Sequence, residues 1–75
     1  MRIPTKAMSI IEKSMRQYEK NSEGRGECHF KRFTEYEGNI CAEVYVFQKG
    51  SKPTEDNIEL WGIDYINGNA GLICE

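Results

Sequence analysis

Apolar side chains recur along the chain with two different periods, and the change of period divides it. Met8, Ile11, Met15 and Tyr18 recur at intervals of three, four and three, which is the stripe of an amphipathic helix, with Ala7 beside it. Thr5, preceded by Pro4, suits the N-cap, where its hydroxyl can accept an orphan amide of the first turn. Asn21, Ser22, Gly24 and Gly26 are breakers, so the spacing predicts a helix over 5–20. Beyond Gly26 the composition turns to aromatic and β-branched residues. Phe30, Phe33, Thr34 and Tyr36 predict a strand over 28–36. Ile40, Ala42, Val44 and Val46 alternate with Cys41, Glu43, Tyr45 and Phe47, which predicts a second over 40–48. Residues 58–66 and 70–74 read as a third and a fourth. Glu37–Gly38–Asn39 supplies a tight turn, the 49–57 stretch with Gly50 and Pro53 a polar loop, and Asn67–Gly68 a type I′ turn signal. The expected fold is α+β: an N-terminal amphipathic helix packed on one face of a four-stranded antiparallel meander (αββββ), in a single domain over 1–75.

This arrangement has a geometric consequence. A helix of this length is about 22 Å long and ~10 Å across, whereas four strands make a sheet ~15–20 Å wide. One helix covers much of one face and none of the other. An antiparallel sheet with a solvated face should be polar there, yet both parities of the second and third strands carry apolar side chains. Ile58, Leu60 and Ile66 share one parity, and Trp61, Ile63 and Tyr65 share the other. Gly62 and Asp64 leave that strand's orientation open, with a bulge near Gly62 as one resolution. The outward set expected here is Tyr45, Phe47, Trp61, Ile63 and Tyr65, with Glu43 and Glu59 among them. A contiguous patch of this kind marks an interaction site, and Tyr and Trp dominate interface hot spots. The alternative is that sheet twist, the 49–57 loop or the C-terminal residues cover the second face.

Charge sharpens the picture. Residues 1–32 carry eight basic and four acidic side chains, and residues 33–75 carry two basic and eight acidic, so a net −2 conceals halves of +4 and −6. Lys6, Lys13, Arg16 and Lys20 fall within one arc of the helical wheel, and Arg25, Lys31 and Arg32 could extend them. These seven are the candidate phosphate contacts of an alternative reading as a nucleic-acid binder. Against it stand the overall acidity, Glu12 and Glu19 at ion-pairing spacing from Arg16, and Glu35, Glu43 and Glu59 on the strands. A solvated helix face explains the stripe equally well. Composition excludes wholesale disorder, with 39% hydrophobic and 29% charged residues. A chain this short holds a core supplying only ~3–5 kcal/mol. Charges at Lys6, Glu12, Lys13 and Arg16 leave no secretory h-region, and no apolar run is long enough for a membrane span, so a cytoplasmic location without membrane contact is expected. Cys28, Cys41 and Cys74 are then reduced thiols, although one disulfide is possible in an oxidising compartment.

Chemistry is harder to find. His29, the single histidine, adjoins Cys28, but neighbours on a strand point to opposite faces, so they make no dyad. The three cysteines and His29 lack the close spacing of a zinc site, and no metal or cofactor is expected. Gly24–Arg25–Gly26 and the 68–71 stretch do not join a strand to a helix as a phosphate loop would. The sequence therefore points to a non-catalytic module that binds a protein partner or a second copy of itself as a homodimer. In size it suits a regulator or inhibitor of the kind encoded by phages and mobile elements.

Overall fold

The computed structural model describes residues 2–73. Helix α1 (Ala7–Asn21) is followed by β1 (Gly26–Tyr36), β2 (Asn39–Gln48), a single 3-10 turn at Glu55–Asn57, β3 (Ile58–Asp64) and β4 (Asn69–Leu72). The strands form one open antiparallel sheet in the order β1-β2-β3-β4. This is the α+β meander expected, with α1 on one face. Cys74 lies outside the described residues.

The helix begins differently from the expectation. Lys6, not Thr5, occupies the N-cap, and no side chain caps the first turn. The Pro4 carbonyl instead accepts the Ala7 amide at 3.0 Å, a turn to which proline's fixed φ is suited. At the other end Glu23 and Gly24 adopt φ of 57° and 78°. This left-handed pair lets their amides turn back to the carbonyls of Lys20 and Glu19, at 3.1 and 3.3 Å. The buried stripe is Ala7, Ile10, Ile11 and Met15, with Tyr18 at the margin. Ile11 and Met15 pack on Cys28, Ala42, Val44 and Trp61, and Phe30, Phe33, Val46, Ile63 and Ala70 close around that core.

Register settles which side chains face the helix. Ile40, Ala42, Val44 and Val46 do so on β2, as expected. Trp61 stands opposite Ala42 and Glu59 opposite Val44. Opposed residues share a face, so Glu59, Trp61 and Ile63 turn toward α1. That corrects the outward placement expected for these three. The β2–β3 pairing runs without a shift from Tyr45↔Ile58 to Cys41↔Gly62, so Gly62 is not a bulge. Glycine has another role there: a Cβ would stand 3.3 Å from Cγ1 of Ile73, which lies over that position on the outer face. The register shift in the sheet falls on β1, between Phe30 and Arg32. It brings Phe30 and Phe33 onto the same face, where their rings lie 4.9 Å apart.

The two hairpins differ. Tyr36 pairs with Asn39, leaving a two-residue turn in which Glu37 (φ 50°) and Gly38 (φ 81°) both have positive φ, the type I′ geometry. The β3–β4 connection is not the two-residue Asn67–Gly68 turn expected. Asp64 pairs with Asn69 across a four-residue loop. The Asp64 carboxylate organises it, accepting the amides of Ile66 and Asn67 at 3.0 and 3.1 Å and the Asn67 side chain at 2.7 Å. These bonds to the ionised form hold the Asp64 carboxyl below the usual carboxylate range.

Candidate functional site

With one parity committed to the helix, the opposite face carries Tyr36, Cys41, Tyr45, Phe47, Ile58 and Leu60, and no helix lies over it. Among the described residues its cover is slight. The 3-10 turn packs against β2, and Ile73, whose amide donates to the Leu60 carbonyl at 3.0 Å, lies over Gly62. Cys41 and Phe47 are buried, whereas Tyr36, Tyr45, Ile58 and Leu60 are half-buried. The 3-10 turn of the 49–57 loop and Ile73 thus cover part of the second face.

Polar groups around this apolar centre are arranged in pairs, each with a carboxylate. Arg32 Nε donates to Glu43 across the β1–β2 ladder. Lys31, placed outward by the bulge, donates to Glu55 at 2.9 Å and lies 5.7 Å from the Tyr45 ring centroid. His29 Nε2 stands 3.2 Å from Glu27 Oε2 and meets Phe47 edge-on, with centroids 5.0 Å apart. The hydrogen bond to Glu55 raises the Lys31 pKa, and the bond to Glu43 raises that of Arg32. Both cations are therefore firmly charged and already engaged.

Of the residues expected to face outward, Tyr45, Phe47 and Glu43 do so. Trp61 is 3% exposed, and its indole Nε1 donates to Glu59 at 3.1 Å on the helix side. Ile63 is half-buried there too. Tyr65 sits in the β3–β4 loop, 38% exposed, and burial raises its phenol pKa. Tyr36, Ile58 and Leu60 were not in the expected set. The signal that identifies Ile58 and Leu60 is parity: once Trp61 is inside, they must be outside.

The basic residues do not gather. Lys31 and Arg32 lie on the outer face, away from the helix stripe. Arg16 pairs with Glu19 at 2.7 Å, and Arg25 approaches Glu23 at 3.8 Å. Lys13 donates to the Gly68 carbonyl at 3.3 Å. Lys6 and Lys20 are exposed without an ion pair among the described residues. Beside the helix, a groove of about 490 Å³ runs between α1 and β4, lined in part by Tyr18, Trp61 and Ala70.

Among the described residues, no group of three or more His, Cys, Asp or Glu side chains stands close enough to hold a metal ion. Cys28 is free and buried, and burial, reinforced by the charge of Glu19, pushes its thiol up to about 12. Burial raises the Cys41 thiol as well. Neither supplies a thiolate nucleophile near neutral pH. No described helix is long and apolar enough to cross a membrane. No family model, curated protein or solved structure matches the chain.

Proposed function

We propose that the chain is a non-catalytic protein-binding module that docks through the outer face of its sheet. The observation that carries this reading is the one-sided sheet itself, with Tyr36, Tyr45, Ile58 and Leu60 half-buried on a face that has no helix over it. Its charged rim favours a protein over a polyanion. Arg32, Lys31 and His29 each stand against a carboxylate, so phosphate contacts would first have to break these pairs. A partner presenting apolar side chains ringed by both signs of charge could dock with the pairs intact or exchanged. Such a module acts as a regulator or inhibitor by occupying its partner's surface.

The test compares two sets of variants. Tyr45→Arg and Leu60→Glu place charge in the centre of the face. Lys13→Glu with Lys20→Glu inverts the helix stripe. Affinity capture from cells with quantitative mass spectrometry should give a partner that the first set loses and the second retains. An electrophoretic shift of DNA or RNA at low salt, abolished by the helix variants, would overturn the proposal in favour of nucleic-acid binding.

A further inference from the structure

A different surface, the β1 edge, carries an inference that does not depend on the outer face. In an open sheet ordered β1-β2-β3-β4, the two edges are β1 and β4. Side chains of the helix and its C-cap close parts of both. Ser22 Oγ accepts the Gly26 amide at 2.9 Å, Glu19 Oε2 accepts the Cys28 amide at 2.9 Å, and Ser14 Oγ accepts the Ala70 amide on β4 at 2.9 Å. Among the described residues, the second half of β1 has no such cap.

Alternation shows which groups are open there. Gly26 and Cys28 direct their amides to the edge, so Glu27 and His29 bond to β2 through Phe47 and Tyr45. Odd-numbered residues of β2 therefore face β1, and past the bulge Glu43, Cys41 and Asn39 pair with Arg32, Thr34 and Tyr36. Phe33 and Glu35 must turn their N–H and C=O outward. No described group outside the ladder bonds to them.

We propose that this half-edge pairs with the same segment of a second copy, antiparallel about a two-fold axis at Thr34. Two independent features converge on that residue. The first is hydrogen bonding. Placing Thr34 opposite Thr34 of the copy sets Phe33 against Glu35 in both directions and satisfies all four open backbone groups of each chain. Centring the axis on Phe33 instead would require outward groups at Lys31, where the bulge turns the amide inward. The second is charge. Residues 31–37 read Lys-Arg-Phe-Thr-Glu-Tyr-Glu, basic at one end, acidic at the other, with Thr34 at the midpoint. Antiparallel self-pairing sets Lys31 against Glu37 of the copy, whereas parallel pairing would align like charges. The product is one continuous eight-stranded sheet whose two outer faces lie side by side.

The experiment uses the full chain. Light scattering from micromolar to millimolar concentration should show the mass doubling. Glu35→Pro removes an amide that faces the edge and no bond to β2, so this edge position tolerates it. It should raise the dimer dissociation constant at least tenfold with unchanged circular dichroism. A separate variant guards against loss of folding. Thr34→Cys, in a Cys41→Ala and Cys74→Ser background that removes the thiol opposed to position 34 within the chain, places two thiols at a non-hydrogen-bonded pair, where Cα atoms lie about 4.5 Å apart, within disulfide range. Mild oxidation should link it into a covalent dimer, and Tyr45→Cys in the same background should stay monomeric. A wild-type protein monomeric throughout, or a cross-link at position 45 and not at 34, would overturn the proposal. Tyr45→Arg should leave the dimer intact, so failure here and failure of the outer-face reading are distinguishable.

Discussion

Replacing Trp61 with phenylalanine tests the orientation of β3. The indole is 3% exposed, stands opposite Ala42 and belongs to the core with Ile11, Met15, Cys28 and Val44. Trp61→Phe removes ~40 Å³ of side chain, which at ~24 cal/mol per Å³ of residual cavity costs about 1 kcal/mol. It also removes the Nε1 donor to Glu59. Glu59 is half-buried, so water can rehydrate the freed carboxylate, and the net loss is about 1 kcal/mol. The total, about 2 kcal/mol, is a large part of the ~3–5 kcal/mol a core of this size supplies. Urea unfolding followed by circular dichroism should show the midpoint falling with unchanged slope, and the melting temperature should drop by roughly 8–16 °C. Trp61→Ala should cost ~3–5 kcal/mol and leave the chain largely unfolded. A Trp61→Phe loss below about 0.5 kcal/mol, the range of an ordinary surface change, would refute the inward placement. So would native Trp61 fluorescence as quenchable as that of the unfolded chain.

Three further outcomes are expected. Ser14→Ala frees the Ala70 amide at the β4 edge and should cost about 1 kcal/mol, with hydrogen exchange at Ala70 accelerating more than at β1. Cys28 keeps its proton in the folded state up to about 12, against 9.0 ordinarily. Below pH 9 it is protonated in both states. Above that the unfolded chain releases a proton that the fold retains, so stability falls as pH rises toward 12, by at most about 1.4 kcal/mol per pH unit. Cys28→Ala should reduce this pH dependence, leaving the part from the raised Cys41 and Tyr65, and equal stabilities from denaturant titrations at pH 8 and 10 would contradict the assignment. The folded Asp64 carboxyl is lowered from 3.8 by its bonds to Asn67 and Ile66. Its contribution is present above that value and lost as pH falls through the folded pKa. Asp64→Ala should speed exchange of the Ile66 and Asn67 amides at neutral pH, and unchanged rates would show that the loop does not depend on the carboxylate.

The elements with one strong period were legible in the sequence. The helix stripe and the alternation of β2 follow from side-chain hydrophobicity alone, and the breakers between them set the connections. What was not legible depended on pairing. β3 is apolar on both parities, so periodicity could not orient it. The register with β2 did, by placing Trp61 against the small Ala42. The bulge escaped because Lys31 looks like an ordinary strand residue, and only the shared face of Phe30 and Phe33 shows that one position is skipped. Thr5 failed as a cap because the Pro4–Ala7 turn starts the helix after Lys6. Asn67–Gly68 misled because Asp64, three residues before Asn67, offered a carboxylate able to order a longer loop. Of the candidate site, the prediction that apolar surface would remain outside α1 came from counting. Its membership waited on the parity of a single strand.

The side chains that seat the helix region also blank parts of the sheet's adhesive borders. Ser14, Glu19 and Ser22 lie within nine residues of one another and occupy edge amides on β1 and β4 alike. Undocking the helix would therefore expose more than the apolar core: the guarded stretches of both margins would become templates for strand addition at once. A partly unfolded form that kept the sheet and lost α1 would be the species most prone to assemble into fibres or to exchange strands with a neighbour. A sheet with its borders guarded from a single helix gains from losing helix and ladder together, since any intermediate between them is dangerous. Substitutions that loosen α1 should thus register as aggregation before they register as lost secondary structure.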